Sequence, residues 1–140
     1  MTPPDAMTWI TYVLNALQAD IVREAAAADE YLRLARLLRQ SCDPLSRHQI
    51  ATCAANALSN ATALAAEIVA LGGVPPSVPP APKGTPKTAR EHLTDVRSAL
   101  AHYRGRLAMA RRFGLPRLQE LFRNIILRHE RDLNANCSSH

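Results

Sequence analysis

The hydrophobic positions of this chain recur every three or four residues over most of its length, which is the spacing of one face of a helix. The first such stretch runs from about residue 6 to residue 40. Its stripe consists of Leu17, Ile21, Glu24, Ala28, Tyr31, Ala35 and Leu38. Glu24 is the only charged residue on that stripe. The pattern therefore predicts a long helix that points one carboxylate into its own core.

Three more helices are predicted in the same way, over residues 44–71, 88–113 and 116–134. Asp43 and Pro44 suit an N-cap and a first-turn position, and the pair of glycines after Leu71 suits a helix end. Thr88 opens a capping box, and the turn FGLP separates the last two helices. The predicted inward positions are Ile50, Cys53, Ala57, Asn60, Leu64, Glu67 or Ile68, and Leu71; Leu93, Val96, Leu100, Tyr103, Leu107 and Ala110; and Leu118, Phe122, Ile125, Ile126, His129 and Leu133.

The segment between the second and third helices, residues 72–87, contains six prolines. Proline interrupts both helices and central strands, so an extended connector is expected. Fourteen residues of polyproline II reach roughly 43 Å, which is enough to return along a whole bundle. A flexible linker between two separate hairpins is the alternative, but neither hairpin alone can cover its apolar seam. We therefore predict an all-α, single-domain chain over residues 1–140, a four-helix bundle with one long Pro-rich crossover between helices 2 and 3, which is the ferritin-like topology.

Charge and composition add two expectations about location and partners. The formal net charge is +5, and the whole excess lies beyond Lys87, where every basic residue is an arginine. This basic half suits either a solvated surface or a nucleic-acid partner, although no aromatic platform or recognition motif accompanies it. No apolar run is long enough to span a bilayer and no leader pattern opens the chain, so no membrane association is expected. The three cysteines match no zinc spacing, which predicts free thiols and a cytoplasmic location.

Four pieces of the chain, in order, resemble the four helices of bacterioferritins. LQADIVREAAAADEYLRLAR resembles the first helix, with Glu24 followed seven residues later by Tyr31. AEIVALGGVPP resembles the end of the second helix, and YRGRLAMARRFG and LQELFRNIILRHERDL resemble the third and fourth. The resemblance covers residues 14–134. It implies a ferritin-like bundle, iron binding or iron storage, and assembly into homo-oligomers.

In that family, carboxylates and histidines hold two iron ions inside the bundle. The resemblance places two of the six ligands on acidic residues here, Glu24 and Glu130. The other four positions fall on Ala57, Asn60, Val96 and Leu133. His129 stands next to Glu130, and a small change of register makes it the inward group. The candidate metal ligands are thus Glu24, Glu130 and His129. The position of the haem-ligating methionine is Leu58, so no haem is expected.

Two interpretations of Glu24 follow. Either it still binds a metal with Glu130, His129 or Asn60, or it is a buried remnant that is neutral or hydrogen-bonded, for example to Tyr31. Since most ligand positions are apolar, we expect no competent ferroxidase and no cofactor, and a structural or non-catalytic assembly subunit. An iron-storage protein with a reduced site and a basic nucleic-acid-binding module are the alternatives. The other polar groups are expected on solvent-facing surfaces, namely Asp29, Glu30, His48, Glu91, His92, Asp95 and His102.

Overall fold

The computed structural model describes residues 6–38, 44–77 and 89–138, and its regular secondary structure there is entirely helical. The helices are α1 (Ala6–Leu38), α2 (Pro44–Ala70), α3 (Ala89–Arg112) and α4 (Pro116–Ser138). The prediction of an all-α four-helix bundle is confirmed. The fourth helix runs four residues beyond its predicted end at residue 134. The predicted caps Asp43 and Thr88, and most of the Pro-rich connector, lie outside the described residues.

Contacts between the helices establish their directions. Asp20 of α1 meets Arg106 of α3, and Tyr31, later in α1, stacks on His92, so α1 and α3 are antiparallel. The pairing of α2 with α4 is antiparallel by the same reasoning. Thus α2 ends at the end of the bundle where α4 begins, whereas α3 begins at the opposite end. The end of α2 and the start of α3 therefore lie at opposite ends of the bundle, which is the arrangement that the short, long and short connections predict.

Glycines end α2 and α3 with the same local structure. Gly72 and Gly114 have φ angles of 86° and 64°, a left-handed conformation that a side chain disfavours. In each case the glycine N–H bonds to the carbonyl three residues earlier, and the next N–H bonds to the carbonyl five residues earlier. These are Schellman motifs, which satisfy the last carbonyls of a helix. The helix ends expected from both glycine positions are therefore confirmed to within a residue.

The core consists of two apolar clusters that follow each other along the bundle. One cluster includes Leu17, Leu64, Tyr103 and Phe122, all with 0 % exposure. The other is built around Tyr31, Ile50, Cys53 and Val96. Glu24, Asn60 and His129 are buried, and by their positions along the helices they fall between the two clusters. A polar layer therefore divides the hydrophobic core near its middle.

No helix in the described part of the chain contains an apolar segment long enough to cross a bilayer.

Candidate functional site

The centre of the polar layer is a buried carboxylate–imidazole pair. Nε2 of His129 lies 2.9 Å from Oε1 of Glu24, and the two residues are 6 % and 2 % exposed. They meet because both occupy the inward stripe of their helices at the same level. The second carboxylate oxygen, Oε2, and the other ring nitrogen, Nδ1, have no hydrogen-bond partner among the described residues.

Tyr103 of α3 packs against this pair. Its ring stacks on the His129 ring with a centroid separation of 5.6 Å and an interplanar angle of 18°. Burial raises the pKa of the Tyr103 hydroxyl, and the nearby negative charge of Glu24 raises it further. The hydroxyl itself lies outside hydrogen-bond geometry with its neighbours in the described part of the chain. The hydroxyl therefore keeps its proton at neutral pH.

A second buried carboxylate, Asp20, ties α1 to α3. Its side chain is fully buried, and one turn of helix separates it from Glu24. Arg106 donates two hydrogen bonds to it, at 2.9 and 3.1 Å, and Nε2 of His102 lies 2.7 Å from the same carboxylate. Burial alone lowers the pKa of Arg106, but its bonds to Asp20 outweigh that effect and the pKa is raised. The negative charge of Asp20 is therefore balanced by Arg106, and both of its carboxylate oxygens accept hydrogen bonds. Within the described ranges, Glu24 has no such arginine contact.

Polar groups also join α2 to α4. Nη1 of Arg128 donates to Oδ1 of Asn60 at 2.9 Å, and Nδ2 of Asn56 donates to Oδ1 of Asp132 at 2.7 Å. Burial raises the pKa of Asp132, because a carboxylate loses hydration there, although Asn56 and other neighbours oppose the shift. The amide oxygen of Asn60 is thus already occupied by an arginine.

A cavity of about 570 Å³ opens between α1 and α3 beside the Glu24–His129 pair. No Cα atom of α1 lies within 8 Å of a Cα atom of α3, so side chains alone bridge the space. Small residues on both sides, Ala27 of α1 and Ala99 of α3, leave it unfilled. The stacked rings of Tyr31 and His92, with centroids 4.7 Å apart, belong to the same lining. A buried carboxylate therefore borders a space of ligand size between the two helices.

The residues present do not fit a dinuclear iron centre. Of the three predicted ligands, the structure brings Glu24 and His129 together, whereas Glu130 is only half-buried and His129 takes the inward position beside it. Ala57 and Val96 are buried apolar residues, and Leu133 packs against both apolar clusters. Among the described residues, no three His, Cys, Asp or Glu side chains are grouped so that they can hold a metal ion. Two such groups leave most of an iron coordination shell unfilled.

Several buried polar groups were not expected from the sequence. Asp20 and Asp132 were not predicted, and the expectation that Glu30, His92 and His102 lie on solvent-facing surfaces is wrong. Glu30, His92 and Asp132 are buried, and His102 is half-buried against Asp20. A local signal did exist for two of them. Asp20 stands four residues before Glu24 and His92 four residues before Val96, which places each beside an inward position.

Comparison of the chain with protein-family models, with curated proteins and with solved structures finds no match.

Proposed function

We propose that this chain is a ferritin-like, bacterioferritin-related bundle with a non-catalytic, structural role in an assembly of identical subunits. The non-catalytic part of the proposal rests on the donor set. Four of the six ligand positions that the resemblance implies hold three aliphatic side chains and one amide, namely Ala57, Val96 and Leu133, and Asn60. Replacing buried ionisable groups by aliphatic ones can also stabilise a bundle.

The single observation that carries the assembly part is the outer face of α2. Between His48 and Glu67 this helix contains no charged residue. Its solvent-facing side carries a second seam with the three- and four-residue spacing of a helix–helix contact: Ala51, Ala55, Leu58, Thr62, Ala66 and Val69. We refer to these six residues as the outer seam. Leu58 and Val69 are 50 % and 60 % exposed. A helix that is apolar on both sides is usually covered on both sides.

A second copy of the chain is the occupant that the charge distribution favours. Eight of the ten arginines that follow residue 88 are exposed, so two α3–α4 surfaces repel each other. The outer seam has no charge to oppose self-association, and its alanines allow two helices to approach closely. Two copies of α2 packed across a two-fold axis would bury both outer seams and leave both basic halves in solvent. A cytoplasmic location belongs to the same proposal, because the buried Cys53 forms no disulfide among the described residues.

The test is the mass of the protein in solution for two matched leucine variants. Leu58 and Leu127 are 50 % and 48 % exposed, but only Leu58 belongs to the outer seam. By sedimentation equilibrium, we expect the wild type and Leu127→Glu to form dimers or larger species. Leu58→Glu should associate at least tenfold more weakly, because it sets a charge into a desolvated contact. A wild type that stays monomeric, or a Leu58→Glu variant that associates as the wild type does, would refute the assembly.

Iron loading of the same preparations tests the non-catalytic part. The expected result is slow ferrous oxidation, at the rate of buffer alone, and less than about one iron retained per chain, since two donors hold iron weakly. About two irons per chain with rapid oxidation would instead support the iron-storage alternative. The nucleic-acid alternative stays a prediction of the basic composition, since the exposed arginines are spread along both α3 and α4.

A further inference from the structure

We infer that the cavity between α1 and α3 is a binding site for a small primary amine with a short aliphatic body, whose ammonium group pairs with Glu24. The size is suitable, since about 570 Å³ lies within the range of small-molecule pockets. The apolar part of the lining includes Ala27, Val96 and Ala99, which can contact a hydrocarbon chain. The inner polar part is the Glu24–His129 pair.

The unpaired atoms of that pair define what the ligand must supply. A carboxylate only accepts hydrogen bonds, so with Glu24 ionised the proton of Nε2 of His129 is donated to Oε1. Oε2 of Glu24 is buried without a partner among the described residues, and a carboxylate oxygen is an acceptor. A ligand that satisfies it brings an N–H donor, and an ammonium group has three.

The charged side chains that line the cavity also favour a positively charged ligand. Three carboxylates, on Glu24, Glu30 and Asp95, line the cavity, against one arginine, Arg23. Oε1 of Glu30 is held by Arg33 at 3.0 Å, so an arginine already balances the charge of Glu30. Oε2 of Glu24 and Oε2 of Glu30 are both buried without a hydrogen-bond partner among the described residues, and of these two carboxylates Glu24 is the one without an arginine contact. The stacked rings of Tyr31 and His92 add an aromatic surface of the kind that attracts organic cations. An organic anion would meet three carboxylates and a single arginine.

Calorimetric titration with three probes of nearly equal size tests this assignment: n-butylamine, n-butanol and butyrate. The full chain is used at pH 7 with EDTA present, so that trace metal does not contribute. We expect saturable binding of about one n-butylamine per chain. Butanol and butyrate should bind at least tenfold more weakly, because neither offers an ammonium group to Glu24. Butyrate or butanol binding as tightly as n-butylamine, or no saturable n-butylamine binding, would overturn the inference.

Two variants locate the site. Glu24→Gln should weaken n-butylamine binding by about tenfold to a hundredfold through loss of a charge-assisted hydrogen bond, whereas Glu120→Gln, an exposed residue of α4, should bind like the wild type. Ala99→Phe keeps Glu24 but fills the cavity and should abolish binding, while the exposed Ala101→Phe should not. Circular dichroism verifies that each variant is folded. Unchanged affinity in either Glu24→Gln or Ala99→Phe would overturn the assignment.

Amine binding in the cavity and self-association through the outer seam can be tested independently. The cavity lies between α1 and α3, whereas the outer seam lies on α2. The Leu58→Glu variant should therefore bind n-butylamine with the affinity of the wild type, whatever its mass in solution.

Discussion

The Glu24–His129 pair makes a specific prediction about the order in which its variants lose stability. His129→Phe removes the donor at Nε2 but retains an aromatic ring against Tyr103, which packs on the imidazole at a centroid separation of 5.6 Å. Glu24→Leu removes the carboxylate and retains the imidazole. The double variant removes both partners and leaves two apolar side chains in the polar layer.

The magnitudes follow from what each change leaves behind. His129→Phe leaves a carboxylate that is 2 % exposed without its hydrogen bond from Nε2, and removing the partner of a buried charge costs about 3–5 kcal/mol. Glu24→Leu leaves the His129 imidazole with an unpaired Nε2, at a cost of about 1–3 kcal/mol. Part of that loss is offset because the unpaired Oε2 disappears as well. The double variant should be within about 1 kcal/mol of the wild type or more stable, so the coupling energy is at least about 2 kcal/mol.

Urea unfolding monitored by far-ultraviolet circular dichroism at pH 7 measures these differences. A domain of this size is stable by about 5–15 kcal/mol, so losses of this size remain within reach of the method. His48→Phe, at an exposed position of α2, is the matched control and should shift the free energy of unfolding by less than about 0.5 kcal/mol. A His129→Phe variant that is no more destabilised than Glu24→Leu would contradict this prediction. So would a double variant whose loss of unfolding free energy equals the sum of the two single losses.

Two further predictions concern the other buried carboxylates. Arg106→Ala removes two of the hydrogen bonds to the fully buried Asp20 but leaves the His102 contact. The free energy of unfolding in urea should therefore fall by about 2–3 kcal/mol. A loss no larger than that of Arg104→Ala, at an exposed position, would contradict this role of Arg106. For Asp132, whose pKa is raised above its ordinary 3.8, the folded state binds the proton more tightly than the unfolded state. Its contribution to stability is therefore fully present below the unfolded value and is lost as pH rises through the folded pKa. Thermal melts of the wild type and of Asp132→Asn from low to neutral pH test this. The stability of Asp132→Asn should decline less with rising pH than that of the wild type, and equal declines in the two proteins would argue against the prediction.

The helices, their order and most of their inward faces could be predicted from local spacing. Leu17, Leu64, Tyr103 and Phe122 were expected inside, and all are fully buried. The glycine at 72 marked a helix end because only a left-handed φ closes that turn comfortably. These features depend on residues within one or two turns of each other, and a sequence displays such residues side by side.

The polar layer depends on contacts between helices, which a sequence does not display. Neighbouring residues of a helix differ by about 100° in direction, so a small rotation of α4 decides whether His129 or Glu130 faces Glu24. Asp20 and Arg106 stand 86 positions apart, and nothing local to either predicts their pairing. The inward direction of Glu24 was thus determined by spacing along a single helix, because hydrophobic periodicity is a local property. Its partner, its unpaired oxygen and the cavity beside it were decided only by the packing of four helices, because they depend on how α1, α3 and α4 are rotated and separated.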